Sequence, residues 1–167
     1  MRKARAAIGS LVFLVIAPGT VAVVGPRWLT GWQAGDSLPR WLPLRAVGVA
    51  LVLAGAIVLL HAFGRFVNEG LGTPAPVAPP ERLVVGGAYR YVRNPMYVAL
   101  TAVIVGEALV LGRAVLLVYA AAFCAVAAVF VHWYEEPTLS RSFGADYDAY
   151  RRAVPAWLPR RKPWKGS

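Results

Sequence analysis

The chain has 167 residues, of which 58% are hydrophobic, and it carries a formal net charge of +10. Its mean hydropathy of +0.55 is too high for a typical soluble domain and predicts an integral membrane protein. The single cysteine excludes a disulfide framework and a cysteine-based zinc site. The basic residues lie beside apolar segments, which favours contact with anionic lipid headgroups over nucleic-acid binding.

Four apolar segments predict four transmembrane helices, because each is close to the roughly 20 residues that cross the hydrocarbon core. The third segment is short, so the last two are expected to form a tight helical hairpin that turns at Gly112-Arg113. Pro18 is expected to kink the first helix, which membrane helices tolerate. The segments run from about Ala6 to Val24, from about Leu44 to Phe63, from Met96 to Leu111 and from Ala114 to Trp133.

The basic N-terminus resembles that of a signal peptide, but the apolar run behind it is long and no small-x-small cleavage site follows. We interpret it as an uncleaved membrane helix. Of the 18 Lys and Arg residues, 14 lie in the N-terminus, the 64–95 connection and the C-terminal tail. The positive-inside rule therefore predicts that both termini and this connection face the cytoplasm. The expected location is the cell (inner) membrane, with the active site on the cytoplasmic side.

The segments outside the predicted helices are two connections, at residues 25–43 and 64–88, and a C-terminal tail. Residues 25–43 are predicted to form an outer loop with Pro26, Pro39 and Pro43, and the tryptophans in it fit an interfacial aromatic belt. The proline-rich part of the 64–88 connection, residues 70–80, is expected to be extended, either as a plain linker or as a loop that covers a cofactor. The basic tail from Arg160 onward is expected to be loose.

A C-terminal amphipathic helix is predicted after Glu135. Leu139, Phe143, Tyr147 and Tyr150 follow one another at helical spacing and share one face. The predicted fold class is an all-α membrane protein with about four transmembrane helices and this amphipathic helix. Residues 1–167 are expected to form a single domain, in which 1–80 hold two membrane helices and the proline-rich loop and 81–160 hold the site.

Two polar clusters at membrane borders are the candidate functional residues, since such groups cost free energy unless they are paired or bind a ligand. The first is the basic and aromatic stretch from Tyr89 to Tyr97, and the second is Glu135-Glu136. The glutamates could bind a cation, pair with an arginine or accept hydrogen bonds from a ribose diol. The alternative is that they form a solvated helix end. Aromatic rings suit a purine or a sulfonium cation, or they are an interfacial belt. Asn94 and Pro95 also fit the start of a helix, with Asn94 as its cap.

Other polar residues are weaker candidates. Glu107 lies inside the third segment, far from both clusters, and is expected to be buried and hydrogen-bonded or to face outward. His61 and His132 lack metal-ligand spacing, so no metal site is predicted. Both are expected to have packing or interfacial roles, with the alternative that His132, one helical turn from the glutamates, reaches the site. Gly86-Gly87 lacks the strand–loop–helix frame of a dinucleotide fingerprint. A soluble Rossmann-type enzyme is excluded because the apolar segments leave no room for its sheet.

Over residues 61–159 the chain resembles the isoprenylcysteine carboxyl methyltransferase and phospholipid methyltransferase families of integral membrane enzymes. The order and spacing of several short motifs carry the resemblance. They are Leu83-Val84, Gly87, Tyr89, Arg93-Asn94-Pro95 and Tyr97, then Glu135-Glu136, then Phe143-Gly144, Tyr147 and Tyr150, then Val154-Pro155 and Pro159.

The resemblance implies S-adenosyl-L-methionine as cofactor and methyl donor, and a lipid or lipophilic small molecule as acceptor. We predict Arg93 and Glu135 as the catalytic residues, with Glu135 holding the ribose or amino-acid part of the cofactor and Arg93 organising the loop or binding an anionic substrate. The residues implied to line the cofactor pocket are Leu83, Val84, Tyr89, Asn94, Pro95, Met96, Tyr97, Glu135 and Glu136.

The chain departs from the family pattern at three positions. Family members often have His in place of Asn94, and some have His in place of Glu81. The eukaryotic prenylcysteine enzymes have a substrate-contacting Arg where this chain has Val131. The resemblance therefore leaves open whether the acceptor is a prenylcysteine-like carboxylate, a lipid amine or a hydrophobic small molecule. Two other functions remain alternatives: a nicotinamide-dependent membrane reductase of the sterol-reductase type, and a non-enzymatic protein whose basic tail docks on lipids.

Overall fold

The computed structural model describes residues 2–39, 41–65, 68 and 82–165, and every regular element in this part of the chain is helical. The proline-rich stretch 70–80, predicted to be an extended loop, and Glu81 lie outside the described residues. The α-helices are α1 (Arg2–Gly19), α2 (Gly25–Thr30), α3 (Leu42–Arg65), α4 (Pro95–Leu111), α5 (Val115–Phe130) and α6 (Glu136–Ala153). A 3₁₀-helix covers Gly87–Arg90, and π-helical turns cover Thr20–Val24 and Val131–Glu135.

Within the described residues, three helical runs are long and apolar enough to cross a membrane, and α4 is a shorter apolar helix of 17 residues. The three runs are Leu11–Thr30, Leu42–Arg65 and the run that starts at Val115. The last run is apolar throughout α5, and its charged residues begin only at Glu135. All four apolar segments of the sequence are therefore helices, and the chain has the character of an integral membrane protein.

The predicted outer loop starts later than expected. Helical structure continues from α1 through the π-turn into α2 and ends at Gly31, whose φ of 59° closes the helix. Pro26 stands in the first turn of α2, where the missing N–H group has no helical partner to lose. Pro43 likewise falls in the first turn of α3 rather than in the loop. The prediction of a loop over 25–43 is thus wrong at both ends.

Close approach of two glycine-containing helices forms the centre of the bundle. A Cβ atom on Gly48 of α3 would lie 2.7 Å from the carbonyl oxygen of Gly106 of α4, and one on Gly106 would lie 2.6 Å from that of Gly48. About two helical turns further toward the site, a Cβ on Gly55 would lie 2.7 Å from the carbonyl oxygen of Ala99. Small residues permit such backbone contact between membrane helices, where van der Waals packing drives association.

The expected hairpin between the third and fourth apolar segments is confirmed. Gly112 adopts φ 68° and donates its N–H to the carbonyl oxygen of Ala108, which ends α4. The outer loop covers this turn, since Gly35 N–H donates to Leu111 at 2.8 Å and Leu38 N–H donates to Gly112 at 3.2 Å. The turn is therefore held from outside by the α2–α3 connection.

The amphipathic helix is present, but it is not a separate element. The π-turn Val131–Glu135 joins α5 to α6 without a break, and the helical conformation is interrupted later, at Gly144 with φ 52° and ψ −125°. Glycine tolerates this backbone conformation, which residues with a side chain rarely adopt. Tyr147 and Tyr150 beyond the break are buried, as their shared face predicted.

The C-terminal segment is ordered by contacts, which contradicts the prediction of a loose tail for its described part. Arg160 N–H donates to the carbonyl oxygen of Tyr91 at 2.9 Å, and Trp164 N–H donates to that of Arg90 at 2.9 Å. The Trp164 ring packs 5.4 Å from the Tyr150 ring. These bonds hold the segment against the stretch that leads into α4.

Candidate functional site

A cavity of about 270 Å³ lies where the N-terminal end of α4 meets the end of α5 and the start of α6. Both polar clusters of the sequence reach it, although 37 residues or more separate them along the chain. All ten predicted site residues line this cavity. They are Leu83, Val84, Tyr89, Arg93, Asn94, Pro95, Met96, Tyr97, Glu135 and Glu136.

Backbone hydrogen bonds to the C-terminal segment fix the entry into α4. Arg93 N–H donates to the carbonyl oxygen of Pro155 at 2.9 Å, and Asn94 N–H donates to that of Ala156 at 3.2 Å. The Asn94 side chain also donates from Nδ2 to Ala156, at 3.1 Å, and makes no capping bond. The prediction that Asn94 caps the helix with its side chain is therefore wrong, whereas Pro95 does occupy the first turn of α4.

Arg93 is the centre of a buried polar network. Its Nη1 donates to Oε1 of Glu136 at 2.6 Å and to the hydroxyl of Tyr147 at 3.2 Å, and its Nε donates to the carbonyl oxygen of Val154 at 3.0 Å. The side chains of Arg93 and Glu136 are only 12% and 10% exposed. The second carboxylate oxygen of Glu136 pairs with Arg151 Nη2 at 3.3 Å. The guanidinium group thus ties α4, α6 and the C-terminal segment together.

Glu135 has a different environment from its neighbour. Its Oε1 accepts a hydrogen bond from the Tyr97 hydroxyl at 2.9 Å, and it makes no ion pair with any described residue. Burial raises the pKa of the Glu135 carboxyl, the Tyr97 hydrogen bond lowers it in part, and the charge of Glu136 raises it further. A half-buried carboxylate without a cationic partner is suited to bind a cation or a hydroxyl donor from the cavity.

Aromatic side chains surround this carboxylate. The Tyr97 ring lies 6.3 Å from that of Phe123 and 6.2 Å from that of Trp157. Tyr150 donates its hydroxyl to the carbonyl oxygen of Tyr89 at 2.7 Å, which fixes the 3₁₀-helix on α6. Burial raises the pKa values of the Tyr147 and Tyr150 hydroxyls, so both stay protonated as donors. Rings in such positions offer faces to a cationic or purine-bearing ligand.

Two hydrophobic clusters make up the walls of the cavity, and Met96 packs against both. The first cluster contains Val84, Tyr89, Tyr147 and Tyr150 and lies toward the C-terminal segment. The second lies among the membrane helices and contains Leu59, Phe63, Ala99 and Leu100, with Phe13, Val21 and Phe123 packed against it. The cavity therefore has one half lined by tyrosines and charged groups and another lined by phenylalanines and aliphatic side chains.

Several lining residues were not singled out by sequence reasoning. The first helical run contributes four of them, Phe13, Ala17, Pro18 and Val21. Their apolar character is the same as that of any membrane helix, so only Pro18, as a predicted kink, distinguished this stretch in the sequence. The two π-turns contribute Val21, Val131, Tyr134 and Glu135 to the lining, in keeping with the frequent occurrence of such turns at functional sites.

The weaker polar candidates lie outside the lining. His61 contacts Gly87, where a Cβ would collide with its Nε2 atom, and so packs beside the 3₁₀-helix. His132 is exposed and stacks edge-on against Trp133 at 5.5 Å. Oε2 of Glu107 is buried and has no hydrogen-bond partner among the described residues, so the predicted hydrogen-bonded state is not found for that oxygen.

The family model described as phospholipid methyltransferase matches residues 43–146, which run from the first turn of α3 into α6. No curated protein and no solved structure matches the chain. The matched region includes the lining from Leu83 to Tyr97 and both glutamates, but neither α1 nor the C-terminal segment.

Proposed function

The chain belongs to the phospholipid methyltransferase family and is a membrane methyltransferase, and we propose that it uses S-adenosyl-L-methionine to methylate a lipophilic acceptor. The observation that carries the proposal is the position of Glu135, a carboxylate without a cationic partner on the wall of an aromatic cavity. The acceptor classes are a prenylcysteine-like carboxylate, a lipid amine and a hydrophobic small molecule.

The cavity lining fits the chemistry of this donor. S-adenosyl-L-methionine carries a sulfonium cation, an ammonium group, a ribose diol and a purine, and it supplies an electrophilic methyl group when bound. Glu135 would accept hydrogen bonds from the ribose or pair with the ammonium group. Tyr89 and Tyr97 would pack on the cofactor, and Leu83 and Val84 would cover the purine. The volume of about 270 Å³ is close to the roughly 300 Å³ at which small-ligand pockets begin.

The contribution of the chain to the reaction is binding, orientation and exclusion of water. Holding two reactants in alignment supplies about 7–11 kcal/mol of a barrier. A carboxylate or a neutral amine needs no strong general base to accept a methyl group, so no catalytic dyad is required. Arg93 acts here as a positioning residue, because its contacts with Glu136, Tyr147 and Val154 set the wall of the cavity.

The arrangement in the membrane is also a proposal. The basic residues of the 64–95 connection and the tail lie at the end of the bundle that holds the cavity, and the positive-inside rule assigns this end to the cytoplasm. A polar cofactor would then enter from the cytoplasm and a lipophilic acceptor from the bilayer. Residues 1–167 would form one domain in the cell membrane, with residues 81–160 supplying most of the cofactor site.

The nicotinamide-dependent reductase gains no support from the lining. Such a cofactor needs basic groups for its phosphates. Among the described residues, Arg93 is the only arginine or lysine that lines the cavity, and Glu136 already pairs with it. The family match also supports methyl transfer rather than reduction.

Binding of isotope-labelled S-adenosyl-L-methionine to the purified protein in nanodiscs tests the proposal. Glu135→Gln should weaken binding about tenfold, which corresponds to about 1.4 kcal/mol. Asp148→Asn removes an exposed carboxylate of the same helical run and should leave binding unchanged. Undiminished binding and methylation by Glu135→Ala would refute the role of that carboxylate.

A further inference from the structure

One wall of the cavity comes from the first helical run, which lies outside the region matched by the family model. Phe13, Ala17 and Pro18 of α1 and Val21 of the following π-turn form this wall. None of these side chains has a polar group. The wall belongs to the apolar half of the cavity, since Phe13 and Val21 pack against the cluster of Phe63 and Leu100.

The wall is a narrow stripe on the described part of α1, next to apolar side chains that are exposed. Val15 is 65% exposed and Ile16 is 63% exposed, whereas Phe13 and Ala17 reach the cavity. The Phe13 ring packs 6.2 Å from that of Phe63, so α3 supports it. Apolar groups of the bilayer therefore lie on one side of α1 and the cavity lies on the other.

The backbone after this stripe is shaped to meet the cavity. Pro18 lacks an N–H group and the chain then forms the π-turn Thr20–Val24. The Val21 carbonyl oxygen accepts a hydrogen bond from the Tyr119 hydroxyl of α5 at 3.0 Å. Tertiary hydrogen bonds of this kind stabilise irregular backbone within a membrane. This bond attaches the Val21 end of the wall to α5.

The cavity volume limits what the site holds at once. About 270 Å³ accommodates one small ligand, which leaves no room for a complete lipid beside a methyl donor. The hydrocarbon part of an acceptor must therefore leave the cavity on its apolar side. The stripe on α1 borders both that side and the bilayer.

We propose that α1 forms the acceptor-binding wall and that Phe13 and Ala17 determine the width of the hydrocarbon chain that the acceptor carries. The proposal rests on the proposed methyltransferase function and assigns the specificity of the same site. Position 17 carries only a methyl group on this wall, and a larger side chain there would reduce the space beside Phe13. The donor, bound at Glu135 in the other half, should be insensitive to both positions.

Enzyme kinetics with a homologous series of alkylamines, alkyl thiols and fatty acids of increasing bulk test this assignment. Ala17→Leu should lower kcat/KM for the bulkiest accepted substrate about tenfold more than for the smallest. Phe13→Ala should shift the preference toward branched chains. Val15→Leu and Ile16→Ala, on the lipid-facing side of the same helix, should keep the wild-type profile. Substrate profiles that Ala17→Leu and Phe13→Ala leave unchanged would overturn the proposal.

A second measurement needs no methyl donor. Ala17→Cys and Ile16→Cys are made in a Cys124→Ala background and treated with a membrane-permeant thiol reagent. A long-chain alkylamine should slow modification of the Ala17→Cys variant at least threefold and leave the Ile16→Cys variant unaffected. Equal rates with and without the amine at position 17 would contradict the acceptor wall. Failure of the donor to bind the wild-type protein would instead contradict the proposed function.

Discussion

Two adjacent glutamates perform different tasks at the level of single residues. Glu136 is buried and holds Arg93 and Arg151, whereas Glu135 faces the cavity and accepts a hydrogen bond from Tyr97. Successive side chains on a helix point about 100° apart, so neighbours in sequence face different partners. The pair of glutamates was predictable as a motif, but the division of roles depends on tertiary contacts that the sequence does not show.

Removing the buried partner of Arg93 should destabilise the protein. Glu136→Ala leaves a guanidinium that is 12% exposed without its carboxylate, which is expected to cost about 3–5 kcal/mol. Arg151→Ala removes the second cation that pairs with Glu136. Because the Arg151 side chain is 48% exposed, this change should cost about 0–1 kcal/mol. Thermal unfolding in detergent measures both, and equal melting temperatures for the two variants would refute the central position of the Arg93–Glu136 pair.

Donor binding should weaken on acidification at a higher pH than the pKa of an ordinary glutamate would predict. Because burial raises the pKa of Glu135, the carboxylate takes up its proton at a higher pH than an exposed one, and it then loses its attraction for a cationic ligand. The dissociation constant of labelled S-adenosyl-L-methionine, measured from neutral to mildly acidic pH, should rise in the wild type. In Glu135→Gln this rise should be absent, and parallel profiles for the two proteins would contradict the assignment.

At the level of helices, the close contact between α3 and α4 holds in position the helix that begins at the site. Gly106→Val would direct side-chain atoms at the Gly48 carbonyl oxygen, which already lies 2.6 Å from an ideal Cβ. We expect a loss of about 1–3 kcal/mol of stability from this overpacking. Gly64→Ala is the matched control, because a Cβ there meets no atom within 4 Å. A Gly106→Val protein with the same thermal unfolding as Gly64→Ala would contradict the close packing.

Hydrophobic length predicted where the four apolar helices lie, because runs of apolar residues have few alternatives in a membrane. It did not predict where the first and fourth helices end. Pro26 and Glu135 look like terminators, yet Pro26 fits a first helical turn and Glu135 falls in a π-turn that continues into α6. The break in α6 occurs instead at Gly144, where a positive φ is adopted. Each difference reflects local backbone geometry that periodicity does not encode.

At the level of the whole molecule, the C-terminal segment supports the site. The backbones of residues 155–164 and 90–94 are joined by hydrogen bonds, so the tail holds in place the stretch that leads into the cavity lining. The motif pattern identified the residues from Leu83 to Tyr97 and the two glutamates. The apolar wall of α1 escaped it, because Phe13, Ala17 and Val21 resemble any lipid-facing residues until the fold brings them to the cavity.

Shortening the chain after Pro159 tests whether the tail acts through structure or through charge. This truncation removes the bonds from Arg160 and Trp164 to Tyr91 and Arg90, so hydrogen exchange at residues 90–94 should accelerate and donor binding should weaken several-fold. The double variant Lys162→Gln, Lys165→Gln lowers the charge but keeps those backbone bonds, and it should bind the donor normally. Equal loss in both proteins would favour a tail that acts only by docking on lipid.

Ultraviolet cross-linking of labelled S-adenosyl-L-methionine, followed by peptide mapping, tests whether the cavity between the start of α4 and the start of α6 binds the donor. Saturable label on peptides that contain Tyr89–Tyr97 and Tyr134–Leu139, competed by unlabelled donor and reduced in Glu135→Gln, is the predicted result. Absence of saturable label, or label confined to peptides remote from the cavity, would contradict the account.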